Sequence, residues 1–244
     1  MSRRARLVLV AGGATVALAG GAIARDRLGR HGPERLPPDE AIFTAYAPGG
    51  KYAFWANGPV GWVMARLIPI LEAGVHDVAA EMLDLQPEDE LLDIGCGPGV
   101  FLGTKARHVR RVVGLDPSPT MLHEAERRLA DRIAAGTARV VAGSAADLPF
   151  GDGEFSAVAA IFAPISHAEA FRVLRPGGRL VFADPDPRRS SREPASAWGT
   201  RRYSEADHRR MIEEAGFTDV TARYRGGSPL AGELFLSGRK AAAS

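Results

Sequence analysis

Cysteine occurs once in the 244 residues, at Cys96, so neither an intramolecular disulfide nor a cysteine-built zinc site is available. Lysine is nearly as scarce: beyond Lys51, Lys105 and Lys240, arginine supplies the positive charge. Neither sign of charge is in excess. Lys+Arg number 31 against 29 Asp+Glu, and the net +2 gives no pull towards nucleic acid. No stretch recurs at a fixed interval, which removes solenoids and propellers. Long apolar runs are missing too, apart from one near the amino terminus. What remains is 45% hydrophobic and 25% charged, the composition of a globular chain long enough for one sizeable domain and a short appendage.

The exceptional run is uncharged from Leu7 to Ala24, with Arg3, Arg4 and Arg6 before it and Arg25 closing it. Its length just meets the need of a membrane-spanning helix, while its Gly and Ala content keeps it weakly hydrophobic. Ala22 to Ala24 also fits a signal-peptidase site, "SRRAR" faintly resembles a twin-arginine signal, and a packing helix is the structural alternative. Arg25, Arg27, Arg30 and Arg35 outweigh the arginines before the run, which favours an anchor with the following domain retained in the cytoplasm. "HGPERLPPDE" then reads as a linker, broken by Pro37 and Pro38. The chain thus divides into a segment 1–40 and a domain 41–244.

From Ala41 the pattern alternates between helices and strands. "GPVGWVMARLIPILEAGVHDVAAEMLDL" spaces its apolar residues as an amphipathic helix, interrupted near Pro69. Short apolar strands follow: "ELLDIG", "RRVVGLD", "ARVVAG", "FSAVAAIF" and "GRLVFAD". Helical stretches such as "SPTMLHEAERRLADRIAAG" and "HAEAFRVLR" separate them, and this alternation predicts a doubly wound parallel sheet. The tail adds the helix "SEADHRRMIEEAG", closed by Gly216, and then "TDVTARYR" and "GELFLSGRK". Two strands with no helix between them predict an antiparallel hairpin at the sheet edge, completing a mostly parallel seven-stranded Rossmann-like α/β sheet.

"LLDIGCGPG" is a strand ending in alternating glycines, which let a backbone approach a ligand closely. A nucleoside triphosphate loop needs Lys and then Ser or Thr after its glycines, and "GCGPGVFLG" has neither. The dinucleotide fingerprint is G-x-G-x-x-G, whereas Gly95, Gly97 and Gly99 give G-x-G-x-G. Asp93 lies two positions before the first glycine, where it repels pyrophosphate and attracts a cation. That favours S-adenosylmethionine, which carries an ammonium group and a sulfonium. Asp116 closes the second strand, "RVVGLD", at the end where open α/β sheets bind ligands, and a carboxylate there accepts hydrogen bonds from ribose hydroxyls. NAD enzymes use the same device, and a helix-capping aspartate before Pro117 is the structural alternative.

With these motifs in order, the chain from Leu91 to Lys240 resembles the class I S-adenosylmethionine-dependent methyltransferases. "LLDIGCGPG" looks like their first motif, "VVGLDPSPTML" their acidic loop and "RVLRPGGRLVFAD" their fifth-strand turn. "GSAADLPFGDGEFSAV" resembles the third-strand loop and fourth strand, and "YSEADHRRMIEEAGFTDV" the closing helix and strand. The resemblance implies a cofactor site of Asp93, Gly95, Cys96, Gly97, Asp116, Pro117, Met121, Ser144, Ala145 and Phe162. In it Asp93 holds the amine, Asp116 the ribose, and Met121 flanks the adenine.

The sequence departs from the family pattern twice. Ser144 stands where relatives commonly have an acid for the adenine amino group; its hydroxyl and the Ala145 amide remain as partners. "FAPISHAEAFRVLRPGG" is also short for the stretch that walls the acceptor in relatives. Cys96 reads as a small side chain, not a nucleophile, because no base pairs with it. "DPDP" reads as a strand end, so no metal is expected. His167 is the candidate base for a hydroxyl acceptor, against a plain helix-start histidine. Tyr46, Tyr52 and Trp55 precede the core and suit a small, partly apolar acceptor, with packing as their alternative role. "FAPI" lacks the motif of base-amino methylation and no RNA-binding module is visible, so no nucleic acid partner is expected. The expected acceptor is a small molecule; the acceptor's identity and the oligomeric state are not legible in the sequence.

Overall fold

The computed structural model describes residues 51–72, 74–188, 203–226 and 232–243. The apolar run from Leu7 to Ala24, the linker and Tyr46 lie outside the described residues. Among the described residues no helix is long and apolar enough to cross a membrane.

Three helices lead into the sheet: α1 (Lys51–Ala56), α2 (Gly58–Leu71) and α3 (Val75–Leu83). The expected interruption near Pro69 is present: α2 ends at Leu71, two residues beyond it, and α3 begins at Val75. Pro69 lies within the last turn of α2, which lacks its donor there. The break falls at Gly74, whose φ of 79° no helix accommodates.

The sheet comprises β1 (Glu90–Ile94), β2 (Arg111–Asp116), β3 (Ala138–Ala142), β4 (Phe155–Ile161), β5 (Leu174–Pro185), β6 (Thr218–Arg225) and β7 (Glu233–Arg239). Their order is β3-β2-β1-β4-β5-β7-β6. The first five strands are parallel, while β7 runs antiparallel between β5 and β6. The expected hairpin is therefore present, with its second strand inserted and its first forming the edge. Connecting helices are α4 (Val100–Thr104), α5 (Pro119–Arg128), α6 (Ala130–Ala134), α7 (His167–Val173) and α8 (Glu205–Glu214). The single stretch expected after β2 divides at Leu129 into α5 and α6.

Both faces of the sheet are covered, which is why β4 is buried throughout. On one face Leu91, Val112 and Ala157 pack with Leu83 of α3, Phe101 of α4 and Ala125 of α5. On the other, Leu92, Val113 and Val158 pack with Val173 of α7 and Ile212 of α8. Alternation along the strands then puts Asp93 and Asp116 on the α3 side and Asp184 on the α8 side. At the amino rim Arg179 pairs with the buried Asp89, donates from Nε to the Leu83 carbonyl at 2.7 Å, and so ties β5 to the end of α3. The carboxyl rim is left for a ligand, at the crossover between β1 and β4.

Candidate functional site

The glycine turn is built by backbone hydrogen bonds to its neighbouring strand. The N–H groups of Gly95 and Cys96 both donate to the Leu115 carbonyl, at 2.7 and 3.0 Å. Gly95, Gly97 and Gly99 all have positive φ, at 70°, 51° and 72°. A side chain at Gly95 would put its Cβ 2.3 Å from the Cβ of Ala163, so this glycine lets the turn press against the end of β4. A Cβ at Gly97 would meet nothing within 4 Å. Gly97 therefore faces open space, the geometry of a backbone that a ligand approaches.

Asp116 braces this turn. Its carboxylate accepts from the Gly97 N–H at 3.0 Å and from the Ser118 N–H at 2.8 Å, and the residue is fully buried. The cap of α5 is Ser118, not Asp116: its Oγ accepts from the Met121 N–H and donates to the Ala56 carbonyl at 2.6 Å. Pro117 is exposed beside it. Met121 is buried against Ala56 and Ala65, so the acidic loop and helices α1 and α2 are one packed unit.

Burial pushes the Asp93 carboxyl well above its usual range, and the neighbouring charges of Glu72 and Asp116 push it further. Burial also raises the Cys96 thiol, with Asp116 and Asp93 adding to it, so the sulfur stays protonated. Its Sγ lies 3.6 Å from the Gly97 carbonyl, consistent with a small filler under the turn. Ser144 is exposed, and its Oγ accepts from the Ala146 N–H at 3.1 Å; Ala145 is buried beside it.

The rim over β4 and β5 is assembled differently. Phe162 has φ 52°, a left-handed conformation for a bulky residue, and its N–H donates to the Ala183 carbonyl at 2.9 Å. His167 starts α7, is buried, and its Nε2 has no hydrogen-bond partner. Burial, and secondarily His208, lowers it to about 4. The Phe182 ring lies near both histidines, 5.8 Å from His167 and 4.9 Å from His208 between ring centroids. His208 Nε2 stands 3.4 Å from Asp184 Oδ2. Trp55 in α1 is half-buried, edge-on to Phe54; Tyr52 lies in the same helix.

Glu72, His76 and His208 were not among the residues singled out in the sequence, and Asp184 entered only through "DPDP", read as a strand end. Glu72 caps the end of α2 and His76 lies in the first turn of α3, and they pair at 3.0 Å across the break at Gly74. Only the fold brings the two together.

This donor set suits the expected cofactor. Two buried carboxylates stand beside an open glycine turn, and among the described residues no Arg or Lys ion-pairs with Asp93 or Glu72. The cofactor's ammonium and sulfonium groups supply positive charge beside these carboxylates.

Comparison with known proteins agrees with the fold. The family profile described as "Methyltransferase domain" matches residues 91–178. An uncharacterized methyltransferase of Synechocystis sp. is 33% identical over 181 residues, covering 64% of this chain and 80% of that protein. A demethylmenaquinone methyltransferase of Tropheryma whipplei is 40% identical over 119 residues, 46% of this chain and 48% of its own length. For most of the curated relatives it matches, the chain spans about half their length or less. Among solved structures the [4+2]-cyclase SpnF superposes with a TM-score of 0.60 at 19% identity, over 69% of this chain and 80% of that one.

Proposed function

The chain belongs to the class I S-adenosylmethionine-dependent methyltransferases, and from that premise we propose that it methylates a small, partly apolar acceptor at an oxygen, nitrogen or carbon nucleophile. The carrying observation is the open Gly97 backbone braced by Asp116, with Asp93 buried beside it. When bound, the cofactor supplies a methyl group on a cationic sulfur.

In this reading Gly95 and Gly97 admit the methionyl and ribose parts and Asp116 accepts from the ribose hydroxyls. Asp93 receives the ammonium group. Met121 closes the adenine side from within its packed cluster, while Ser144 and the Ala145 amide meet the ring edge. Cys96, Pro117 and Phe162 shape the walls. Since the electrophile arrives activated, the protein mainly aligns the acceptor and excludes water. Trp55 lines the acceptor side. His167, held near 4, is neutral at pH 7 and has a free lone pair. That suits it to orient a hydroxyl by accepting its hydrogen bond, and suits it less as the final resting place of the proton.

The similarity to a demethylmenaquinone methyltransferase makes quinols the first acceptors to try. Full-length protein incubated with methyl-labelled S-adenosylmethionine and a panel of quinols, phenols and amines should label one of these classes. An extract of the source cell, lipids included, extends the search. Label confined to protein or RNA would replace the small-molecule reading.

A second reading is a cofactor-binding protein without methyl transfer, favoured by the seven-residue α7 where relatives wall the acceptor with a longer helix. The similarity to a [4+2]-cyclase illustrates that this fold hosts other chemistry. Nucleoside binding with no labelled product from panel or extract would support it.

For location, we infer that Leu7 to Ala24 tethers the domain to the cytoplasmic face of the membrane. The methyl donor is cytoplasmic, and the arginines after the run favour retention there. Full-length protein recovered wholly in the soluble fraction, or shortened after Ala24, would remove this placement.

A further inference from the structure

Helix α2 buries its smallest residues and exposes its largest. Gly61 and Ala65 are buried, Ala65 with Ala56 and Met121, while Trp62 is 50% exposed, Val63 53%, Leu67 42% and Ile70 68%. Phe54 of α1 is exposed as well. Of the six large apolar side chains exposed among the described residues, these two helices hold all but Ile133. The spacing of Trp62, Val63, Leu67 and Ile70 puts them on one helical stripe, the reverse of a water-facing surface. Beside it, Pro59, Trp62 and Val63 face Pro119 and His123 of α5 across an open groove of about 690 Å³.

The stripe is firmly mounted. The Gly58 N–H donates to Thr120 Oγ1 at 3.1 Å, and Ser118 Oγ donates to the Ala56 carbonyl at 2.6 Å. Both bonds tie the helices to the loop that follows Asp116.

Length and charge select the occupant. The 14 residues of α2 fall short of the roughly 20 that cross a bilayer, so such a helix lies on a membrane and not through it. From Ala41 to Leu71 the chain carries no acidic residue, and its only charges are Lys51 and Arg66. The Arg66 guanidinium stacks 3.2 Å over the Trp62 ring, and its Nη1 donates to the Trp62 carbonyl at 2.9 Å. Glu124 is shared between Arg66 at 4.0 Å and Arg127 at 3.3 Å, which leaves one positive charge over. A tryptophan and an arginine among aliphatic side chains match the headgroup layer, where the ring and the cation both find partners. A second copy fits less well. A two-fold contact through the stripe would press Arg66, at its middle, towards its own counterpart.

We infer that the exposed stripe of α1 and α2 docks on the surface of a lipid bilayer containing anionic lipids. Phe54, Trp62, Val63, Leu67 and Ile70 enter the interface, and Arg66 meets the phosphates. Docking there brings the loop after Asp116 to the bilayer, the phase in which a partly apolar acceptor concentrates. It is read from the helices themselves and stands without the tether proposed for Leu7 to Ala24.

Lipids with brominated acyl chains quench a tryptophan that enters the interface, which makes Trp62 the reporter. The full-length chain is mixed with vesicles of brominated phosphatidylcholine and phosphatidylglycerol. The unaltered protein should be quenched, and Trp62→Phe should lose that quenching although Trp55 and Trp198 remain. Leu67→Glu combined with Ile70→Glu should lose it too, with the thermal midpoint unchanged because both positions are exposed. Absence of quenching in the unaltered protein overturns the docking, as does quenching that persists in either variant. A lipid-free dimer that the double variant dissociates, seen by sedimentation, would give the stripe to a second copy and overturn it as well. If the double variant does not fold, Trp62→Phe decides alone. Flotation with vesicles is scored separately, since a tether would keep the double variant on the membrane without restoring the quenching.

Discussion

The two halves of the carboxyl rim are made in opposite ways. Over β1 and β2 the backbone is tied down: Gly95 and Cys96 bond to Leu115, and both oxygens of Asp116 accept backbone N–H groups. Over β4 and β5, His167 Nε2 and His208 Nδ1 are buried without hydrogen-bond partners among the described residues, and His208 Nε2 has only Asp184, at 3.4 Å. A site that must hold one unvarying molecule gains from a preorganised backbone. Buried side-chain nitrogens left open suit a partner that the fold itself does not supply. The first half therefore reads as a fixed donor site and the second as the acceptor side.

One methyl group placed at two neighbouring glycines tests the donor half most severely. Gly95→Ala drives a Cβ into Ala163 at a φ of 70°, and overpacking plus left-handed strain should cost about 3 kcal/mol of folding stability. Gly97→Ala meets open space, so it should cost only about 1 kcal/mol of stability, from its φ of 51°, while blocking nucleoside binding. Urea unfolding and calorimetry on the same two variants separate these outcomes. If Gly97→Ala binds S-adenosylhomocysteine normally, the ligand does not pass over the turn.

On the acceptor half, His167 should make the protein acid-sensitive. Its folded value is about 4 against the ordinary 6.5, so as pH falls the unfolded chain takes up the proton first. The associated stability is complete above 6.5 and is lost between there and about 4, by about 3 kcal/mol in all. Unfolding free energies across this window should fall less steeply in His167→Gln. An unchanged slope would place the titration elsewhere.

What the sequence made legible follows the same division. β1 to β4 emerged from short apolar runs, and the glycine turn from residues within one segment, because local steric rules dictate both. Pro69 marked the interruption because proline is a local signal, while the turn itself is made at Gly74. Glu72 was invisible because its partner His76 lies on another element, and His208 because Asp184 and Phe182 reach it across β5 and α8. No periodicity records such meetings.

Asp116→Ala should weaken S-adenosylhomocysteine binding by about 2 kcal/mol, the scale of hydrogen bonds to a charged group. Because two buried backbone donors also lose their acceptor, its thermal midpoint should fall as well. The alternative role, a helix cap, belongs to Ser118 and predicts loss of stability with affinity intact. Calorimetry on the folded variant distinguishes them.

The smallest effect is expected from Asp184→Asn, and its smallness is informative. Asp184 is one third exposed and 3.4 Å from His208 Nε2, so the pair is a weak contributor to folding, worth less than about 1 kcal/mol. It stands on the α8 side of the sheet, with β4 between it and the glycine turn, while Asp93 and Asp116 face α3. Two strand spacings place it about 10 Å from the turn, a separation at which substitutions act independently. Nucleoside affinity should thus stay within about 2-fold of the unaltered protein, a change below 0.5 kcal/mol. If the acceptor binds at this end of β5, methyl transfer should fall in the same variant while nucleoside binding holds. Loss of nucleoside affinity in Asp184→Asn would show that the two halves of the rim form one coupled site.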